Sequence, residues 1–364
     1  MLTSTLINIR DISIKNIASN LTIIPFEKIS KEIDLINNDK PPKAGDVALF
    51  RVSQKNTKMF ITMQDLEGRL IDLYPGDYIV CPFASRQSTT HIYGILPKQI
   101  MKKGIDLNLL SDGGSVGLVT YIPPFMGKST ILEFISYLGL KKRVMNLKQF
   151  APVVKKITKL NLPPVLLIMG TSSEIGKTTL TSRIMSILSK KYHKKVSSIM
   201  ISCSGSKSDE IHHKAAGVYA INSFIQMGYP VTYDVPEKEY LNSMEYQFQL
   251  IADTQKPDII VGEVGGDYIW GNNLAFIKKS KVMRFVKYIV VIVSDTIAAI
   301  GTEKLFNEWN IIIPYILANS WLRSYEGMRI RNEKILGQKL IDTQNSENID
   351  FYLSEIYKTI FQSN

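Results

Sequence analysis

The chain has 364 residues, 45% of them hydrophobic and 21% charged, which is long enough for two cored domains and excludes a disordered chain. Lys and Arg outnumber Asp and Glu by 44 to 33, a formal charge of +11. The basic runs (Lys141-Lys142-Arg143, Lys190-Lys191 and Lys194-Lys195) are short, and no dense Arg/Lys block with interleaved aromatics occurs. A solvated Lys-rich surface therefore accounts for the charge, and no nucleic-acid partner is expected.

Two distant cysteines, Cys81 and Cys203, exclude a disulfide framework and a Cys-based zinc site, and they fit a reducing compartment. The first twenty residues lack the apolar core and cleavage site of a secretory signal. The longest apolar run, Tyr288 to Val293, falls far short of the roughly 18–20 residues of a membrane span. No membrane span and a cytoplasmic location are the expectations.

Residues 1–40 carry no clear pattern. From about Lys43 to Pro97, short runs (GDVALFRVS, MFITMQD, GRLIDL, DYIVCPFA, THIYGILP) alternate with turn signals such as Pro75-Gly76-Asp77. Short strands so closely punctuated predict a small antiparallel barrel or sandwich. Asp112-Gly113-Gly114 punctuates the next stretch, and one helix is expected after Gly127-Lys128-Ser129-Thr130. The predicted organisation is a β-rich N-terminal domain over 1–140, a Lys-rich linker over 141–163 ending at the Pro163-Pro164 boundary, and an α/β domain over 164–364.

From Val165 onward, apolar strands alternate with helix-length segments. Strands are expected at 165–169, 196–202, 230–235, 258–264, 288–294 and 311–318, and helices at 177–191, 214–228, 239–255, 273–283 and 297–309. Near-continuous apolar strands separated by helices predict a parallel sheet covered on both faces. Right-handed crossovers then gather the strand C-termini on one edge, where ligands bind.

The first of these strands leads into Gly170-Thr171-Ser172-Ser173-Glu174-Ile175-Gly176-Lys177-Thr178-Thr179, which opens a helix. A Gly-bearing loop at a helix N-terminus aims backbone N–H groups at phosphate oxygens. Lys177 can neutralise the β/γ-phosphates and the Thr178 hydroxyl can ligate Mg²⁺. Five residues separate Gly170 from Gly176, one more than the usual spacing. By contrast, Gly127-Lys128-Ser129-Thr130 has no first glycine and follows Pro123-Pro124, where N–H donors are missing. It is a decoy.

The five-residue spacing with Glu174 ahead of Ile175-Gly176-Lys177-Thr178 resembles the phosphate loop of the dethiobiotin synthetase family, GT-x-x-E-V-G-K-T. It is also similar to that of the cobyrinic and cobyric acid synthases, within the class that includes the MinD-like ATPases. The resemblance covers about residues 164–330 and implies a parallel-sheet P-loop fold with ATP and Mg²⁺ as cofactors. It implies a metal-holding Asp in the loop after the second strand, matched by Asp209 in Ser204-Gly205-Ser206-Lys207-Ser208-Asp209. It implies a metal-side Glu at the tip of the fourth, matched by Glu263 in Gly262-Glu263-Val264-Gly265-Gly266. Asn319, in Leu317-Ala318-Asn319, matches the residue before the base-recognition loop. The family's Lys-Pro at the end of the second strand is missing; Met200-Ile201-Ser202-Cys203 stands there, and Lys207 is the one lysine nearby.

Lys177, Asp209 and Glu263 are thus the expected catalytic set, and Thr178, Asp209 and Glu263 the expected metal set. His212-His213 reads as a surface pair. Tyr233 and Asp234, at the end of the expected third strand, are weak substrate-side candidates. The leading expectation is an ATP- and Mg²⁺-dependent synthetase that phosphorylates a small carboxylate or carbamate for ligation, or a small-molecule kinase. The alternative is a MinD-like ATPase switch or assembly factor that controls a protein partner. The acceptor is an unidentified small molecule, and the reading allows a homodimer. Thr171-Ser172-Ser173 lacks the extra lysine that MinD-like loops carry, which favours the enzyme at this stage.

Overall fold

Ile131–Leu140 is a ten-residue strand rather than the helix expected after Thr130. Leu132 and Phe134 are buried while Ile131, Glu133 and Ile135 are half-exposed, a period of two that only an extended chain produces. This strand is the spine of a sheet running, among the residues the computed structural model describes (8–9, 12–54, 62–320 and 326–362), in the order Asn16–Ile17, Tyr78–Pro82, Val47–Gln54, Ile131–Leu140, Asp106–Leu109, Val116–Tyr121, Tyr93–Ile95, Arg86–Gln87. Ile33–Ile36 and Arg143–Val144 both pair with the C-terminal end of this strand, at 137–140 and 139–140. A bridge between Phe83 and Val116 links the strand at 78–82 back to the one at 116–121, so the sheet curls round its own core. Phe50, Phe83, Phe134 and Tyr137 fill that core, with ring centroids 5.1–6.1 Å apart. Of the run MFITMQD, residues 59–61 lie outside the described residues, and Thr62–Gln64 pairs with Leu70–Asp72.

The chain forms two compact units. The β-rich unit comprises Met1–Val153 together with Cys203–Ser208 and Phe224–Val235. The second comprises Val154–Ser202, Asp209–Ser223 and Pro236–Asn364.

In the second unit the strands are β1 (Val165–Gly170), β2 (Val196–Ser202), β3 (Ala220–Ser223), β4 (Ile259–Val264), β5 (Val286–Val293) and β6 (Tyr315–Asn319). They form an all-parallel sheet in the order β3-β2-β4-β1-β5-β6. Every residue of β1, β2 and β4 is buried, as a sheet covered on both faces requires. The helices are α1 (Lys177–Lys190), α2 (Ser208–Ala215), α3 (Glu237–Gln255), α4 (Gly271–Lys279), α5 (Thr296–Glu308), α6 (Glu326–Leu336) and α7 (Ser346–Phe361). Packing of α1 and α7 on the sheet buries Leu180, Ile184, Leu188, Leu353 and Ile356 in one apolar cluster.

The third strand lies at 220–223, inside the expected helix 214–228, and the expected strand at 230–235 is absent. The helix stops early because Gly217 takes a left-handed φ of 82°. Pro230 and Pro236 bracket the segment at 230–235, which belongs to the β-rich unit instead. β6 likewise begins only after Pro314, not at residue 311.

Candidate functional site

β1 sits between β4 and β5 in the middle of the sheet, so the loop after it opens on the edge where parallel-sheet ligands bind. Gly170 is needed there. A Cβ at this position would come within 2.8 Å of the Ile175 side chain and 3.0 Å of that of Lys177. Ile175 is buried and anchors the loop from below, while Glu174 (φ 59°) and Gly176 (φ 96°) take left-handed conformations that turn the backbone into α1. Alternating backbone twists of this kind form anion-binding concavities. α1 begins at Lys177 with no side-chain cap, which leaves a helix N-terminus facing the loop. Thr171 is clamped from the other side: its N–H donates to Ile292 O at 3.0 Å, and its hydroxyl accepts from Ser294 N–H at 3.0 Å.

Lys177 is buried, and its ammonium donates to the carbonyl of Ser172 at 2.7 Å. Thr178, the next residue, carries the centre of the site. Its Oγ1 lies 2.8 Å from Asp209 Oδ1 and 2.7 Å from Glu263 Oε1. Asp209 comes from the first turn of α2 and Glu263 from the fully buried end of β4. The three residues predicted to hold Mg²⁺ are therefore brought together.

Electrostatics at this cluster are unequal. Burial, reinforced by the neighbouring Glu263 charge, pushes the Asp209 carboxyl up to about 6. Burial works the same way on Glu263. There the hydrogen bond and charge of His213, with Thr178 and Lys177, outweigh it and hold the carboxyl below its usual range. A single hydroxyl hydrogen cannot serve two ionised carboxylates, so the three oxygens need either a proton on one acid or a cation among them. Among the described residues no cluster of three or more His, Cys, Asp or Glu side chains is placed to enclose a metal. Two carboxylates and a hydroxyl nevertheless match the way Mg²⁺ is usually bound, with phosphate oxygens and water completing its shell.

The loop after β4 is fixed by backbone contacts. Gly265 N–H donates to Ser202 O at 3.1 Å, and Asn273 Nδ2 donates to Gly265 O at 2.8 Å and Asp267 O at 2.7 Å. Tyr268 N–H reaches Gly170 O at 3.2 Å, and its hydroxyl donates to Thr302 at 2.9 Å. Asn319 ends β6 buried, 2% exposed, and its Oδ1 has no hydrogen-bond partner among the described residues.

Three sequence expectations are corrected here. His213 is fully buried, with Nε2 at 3.1 Å from Glu263 Oε2, while His212 is exposed. The signal was available: Asp209 and His213 are four residues apart, hence on one helix face. Asp234 does not end a strand of the parallel sheet; its carboxylate accepts the Ser85 N–H at 2.8 Å within the β-rich unit, to which Tyr233 also belongs. Lys207 does not replace the missing second-strand lysine. Its ammonium donates to Leu66 O at 2.7 Å and Thr22 Oγ1 at 3.0 Å, again within the β-rich unit.

No family model matches the chain, and no curated protein matches it. Among solved structures it is similar to a plasmid partition protein from Borrelia burgdorferi (16% identity over 54% of this chain and 98% of that one, TM-score 0.39). A ParA family ATPase from Chlorobium tepidum TLS is also similar (11% identity, 55% and 92% covered, TM-score 0.34). So is the MinD cell division protein of Aquifex aeolicus (15% identity, 52% and 85% covered, TM-score 0.32). At such TM-scores the site has to be read from its own residues. No helix among the described residues is long and apolar enough to cross a membrane.

Proposed function

We propose that the parallel-sheet unit binds a nucleoside triphosphate with Mg²⁺ and hydrolyses it, and that turnover drives a conformational cycle rather than the synthesis of a product. The observation that carries this reading is the meeting of Thr178, Asp209 and Glu263 oxygens within 2.8 Å beside the 170–179 loop. Thr178, Asp209 and Glu263 would hold the metal, directly or through its water. Bound Mg²⁺ supplies charge neutralisation at the phosphates.

The chain's own part is positioning. The 170–179 loop and the start of α1 present N–H groups and a helix terminus to the phosphates. Lys177 exchanges the Ser172 carbonyl for a phosphate oxygen and brings a positive charge to where negative charge accumulates. Glu263, held ionised by its neighbours, supplies a fixed negative charge at the metal side. Hydrolysis adds water across the terminal P–O–P link, giving nucleoside diphosphate, phosphate and a proton.

Two observations favour a switch over the synthetase expectation. The lysine that the synthetase family places at its second strand has no counterpart, since Lys207 is engaged by Leu66 and Thr22. The segment Cys203–Ser208, immediately before Asp209 in the chain, belongs to the β-rich unit. There Gln64 Oε1 accepts from Lys207 N–H at 2.8 Å and Ser206 Oγ at 3.1 Å, and Gln64 Nε2 donates to Ser208 Oγ at 2.9 Å. A metal ligand tethered to such a loop is suited to reporting nucleotide state.

The test is hydrolysis of ATP and GTP in Mg²⁺, with and without a panel of small carboxylates and amines. Turnover that proceeds without any acceptor and ignores the panel is expected. Turnover that requires a carboxylate would return the synthetase reading, and no binding of either nucleotide would sink both.

A further inference from the structure

We infer that His213 is a positioning residue for the metal site, setting the orientation of the Glu263 carboxylate by donating a hydrogen bond from Nε2 to Oε2. The inference rests on the reading of Thr178, Asp209 and Glu263 as a Mg²⁺–nucleotide site, and extends it to a residue with no ligand contact of its own.

His213 is 0% exposed, on the turn of α2 that follows Asp209. Its Nε2 stands 3.1 Å from Glu263 Oε2, while the other carboxylate oxygen, Oε1, faces Thr178 Oγ1 at 2.7 Å. The imidazole and the hydroxyl therefore take one oxygen each, and the carboxylate plane is held between them. Nδ1 is buried with no hydrogen-bond partner among the described residues. Nε2 is therefore the ring nitrogen with a bond to make, and its hydrogen points at Glu263.

A side chain that only filled space would not carry an idle buried nitrogen; Leu or Phe would pack there at less cost. The polar ring is explained by the one bond it makes. Partners of this kind orient metal-ligating carboxylates and tune the affinity of the site. With Oε2 occupied, Oε1 is the oxygen left for the metal. Without His213 the carboxylate is free to turn away from Thr178.

The experiment compares wild type with His213→Phe, which keeps volume without a donor, and His213→Gln, whose amide nitrogen restores one. Three quantities are read: triphosphate affinity in EDTA, the Mg²⁺ concentration giving half-maximal hydrolysis, and kcat at saturating Mg²⁺. For His213→Phe the half-saturating Mg²⁺ is expected to rise about 10- to 100-fold, with the EDTA affinity and the saturated kcat within about twofold of wild type. Gln should bring the metal requirement back to within about threefold. A folded His213→Phe with unchanged Mg²⁺ requirement, or a His213→Gln as impaired as His213→Phe, would overturn the inference. If His213→Phe does not fold, His213→Met takes its place in the comparison. If neither folds while Gln does, the role is structural and the inference falls. A wild type that binds no triphosphate overturns the proposed site itself, so the two failures are distinguishable.

Discussion

Thr178 Oγ1 and Asp209 Oδ1 stand 2.8 Å apart, and with Glu263 drawing on the same hydroxyl, this pair holds together without metal only if Asp209 keeps a proton. The Asp209 carboxyl is accordingly pushed up to about 6 by burial and by the Glu263 charge. A carboxyl whose folded value exceeds its unfolded one stabilises fully below the unfolded value, 3.8, and loses that contribution as pH rises through about 6. Metal-free protein should therefore lose stability between about pH 4 and 6 from this group. Glu263, shifted the other way, contributes stability that is lost as pH falls. Thermal melts in EDTA across this range, on wild type and Asp209→Asn, isolate the first effect. The variant should be flatter with pH, and an identical slope in both would refute the assignment.

Metal should replace that proton. Below about pH 6, where Asp209 keeps its proton, Mg²⁺ binding is expected to release it, and bound Mg²⁺ is expected to raise the melting temperature of wild type. Thr178→Val, which keeps the shape but removes the hydroxyl, should lose most of that response. Titration of Mg²⁺ into weakly buffered protein measures both, and full proton release from the variant would count against Thr178 as a ligand.

Lys177→Ala removes a charged donor aimed at phosphate while leaving the apolar face of α1 intact. Loss of a hydrogen bond to a charged group is worth about 1.5–3 kcal/mol, which at 1.4 kcal/mol per decade predicts a triphosphate affinity at least tenfold weaker. Nucleoside affinity should change little. Calorimetric titration of both ligands decides the matter, and an unaltered triphosphate affinity would displace the phosphate site from residues 170–179.

Asn319→Ala should weaken discrimination among nucleobases while triphosphates of any base still bind. Its orphaned Oδ1 makes the side chain a poor structural investment, so stability should hold or improve slightly. Competition between ATP and GTP before and after substitution is the measurement. Unchanged selectivity would leave Asn319 as a strand-end residue only.

Gly205→Ala should be among the more damaging single-methyl changes. A Cβ there would lie 2.3 Å from Pro230 O, at a φ of 76°. Left-handed strain alone costs roughly 1–3 kcal/mol, and the backbone clash adds to it. Gly76, at φ 97° with nothing within 4 Å, serves as the control in chemical denaturation. Equal losses at the two positions would mean that strain, not the clash, sets the cost.

The strand–loop–helix rhythm after Val165 was legible because buried parallel strands are apolar at every position and their boundaries carry Gly or Pro. Gly170, Lys177, Thr178 and Glu263 were legible for the same reason: each adjoins such a boundary, where local chemistry dictates the residue. The segment at 230–235 was misleading, since Val231, Tyr233 and Val235 alternate like a strand yet pack in the β-rich unit, a destination no local pattern records. The strand at 131–140 was hidden by the Gly-Lys-Ser-Thr before it, although its β-branched and aromatic residues carried the period of two. His213 carried part of a signal in its four-residue spacing from Asp209, but its contact with the buried Glu263 is a tertiary fact.

Glu174, the exposed non-glycine residue at φ 59°, bears on how fast the site fills. A glycine there would allow many loop shapes; glutamate allows few, so the turn exists before any ligand arrives. Lys177 then has to let go of Ser172. Encounter should then be limited by diffusion and not by a search through loop conformations, and Glu174→Gly should slow nucleotide association more than it speeds release.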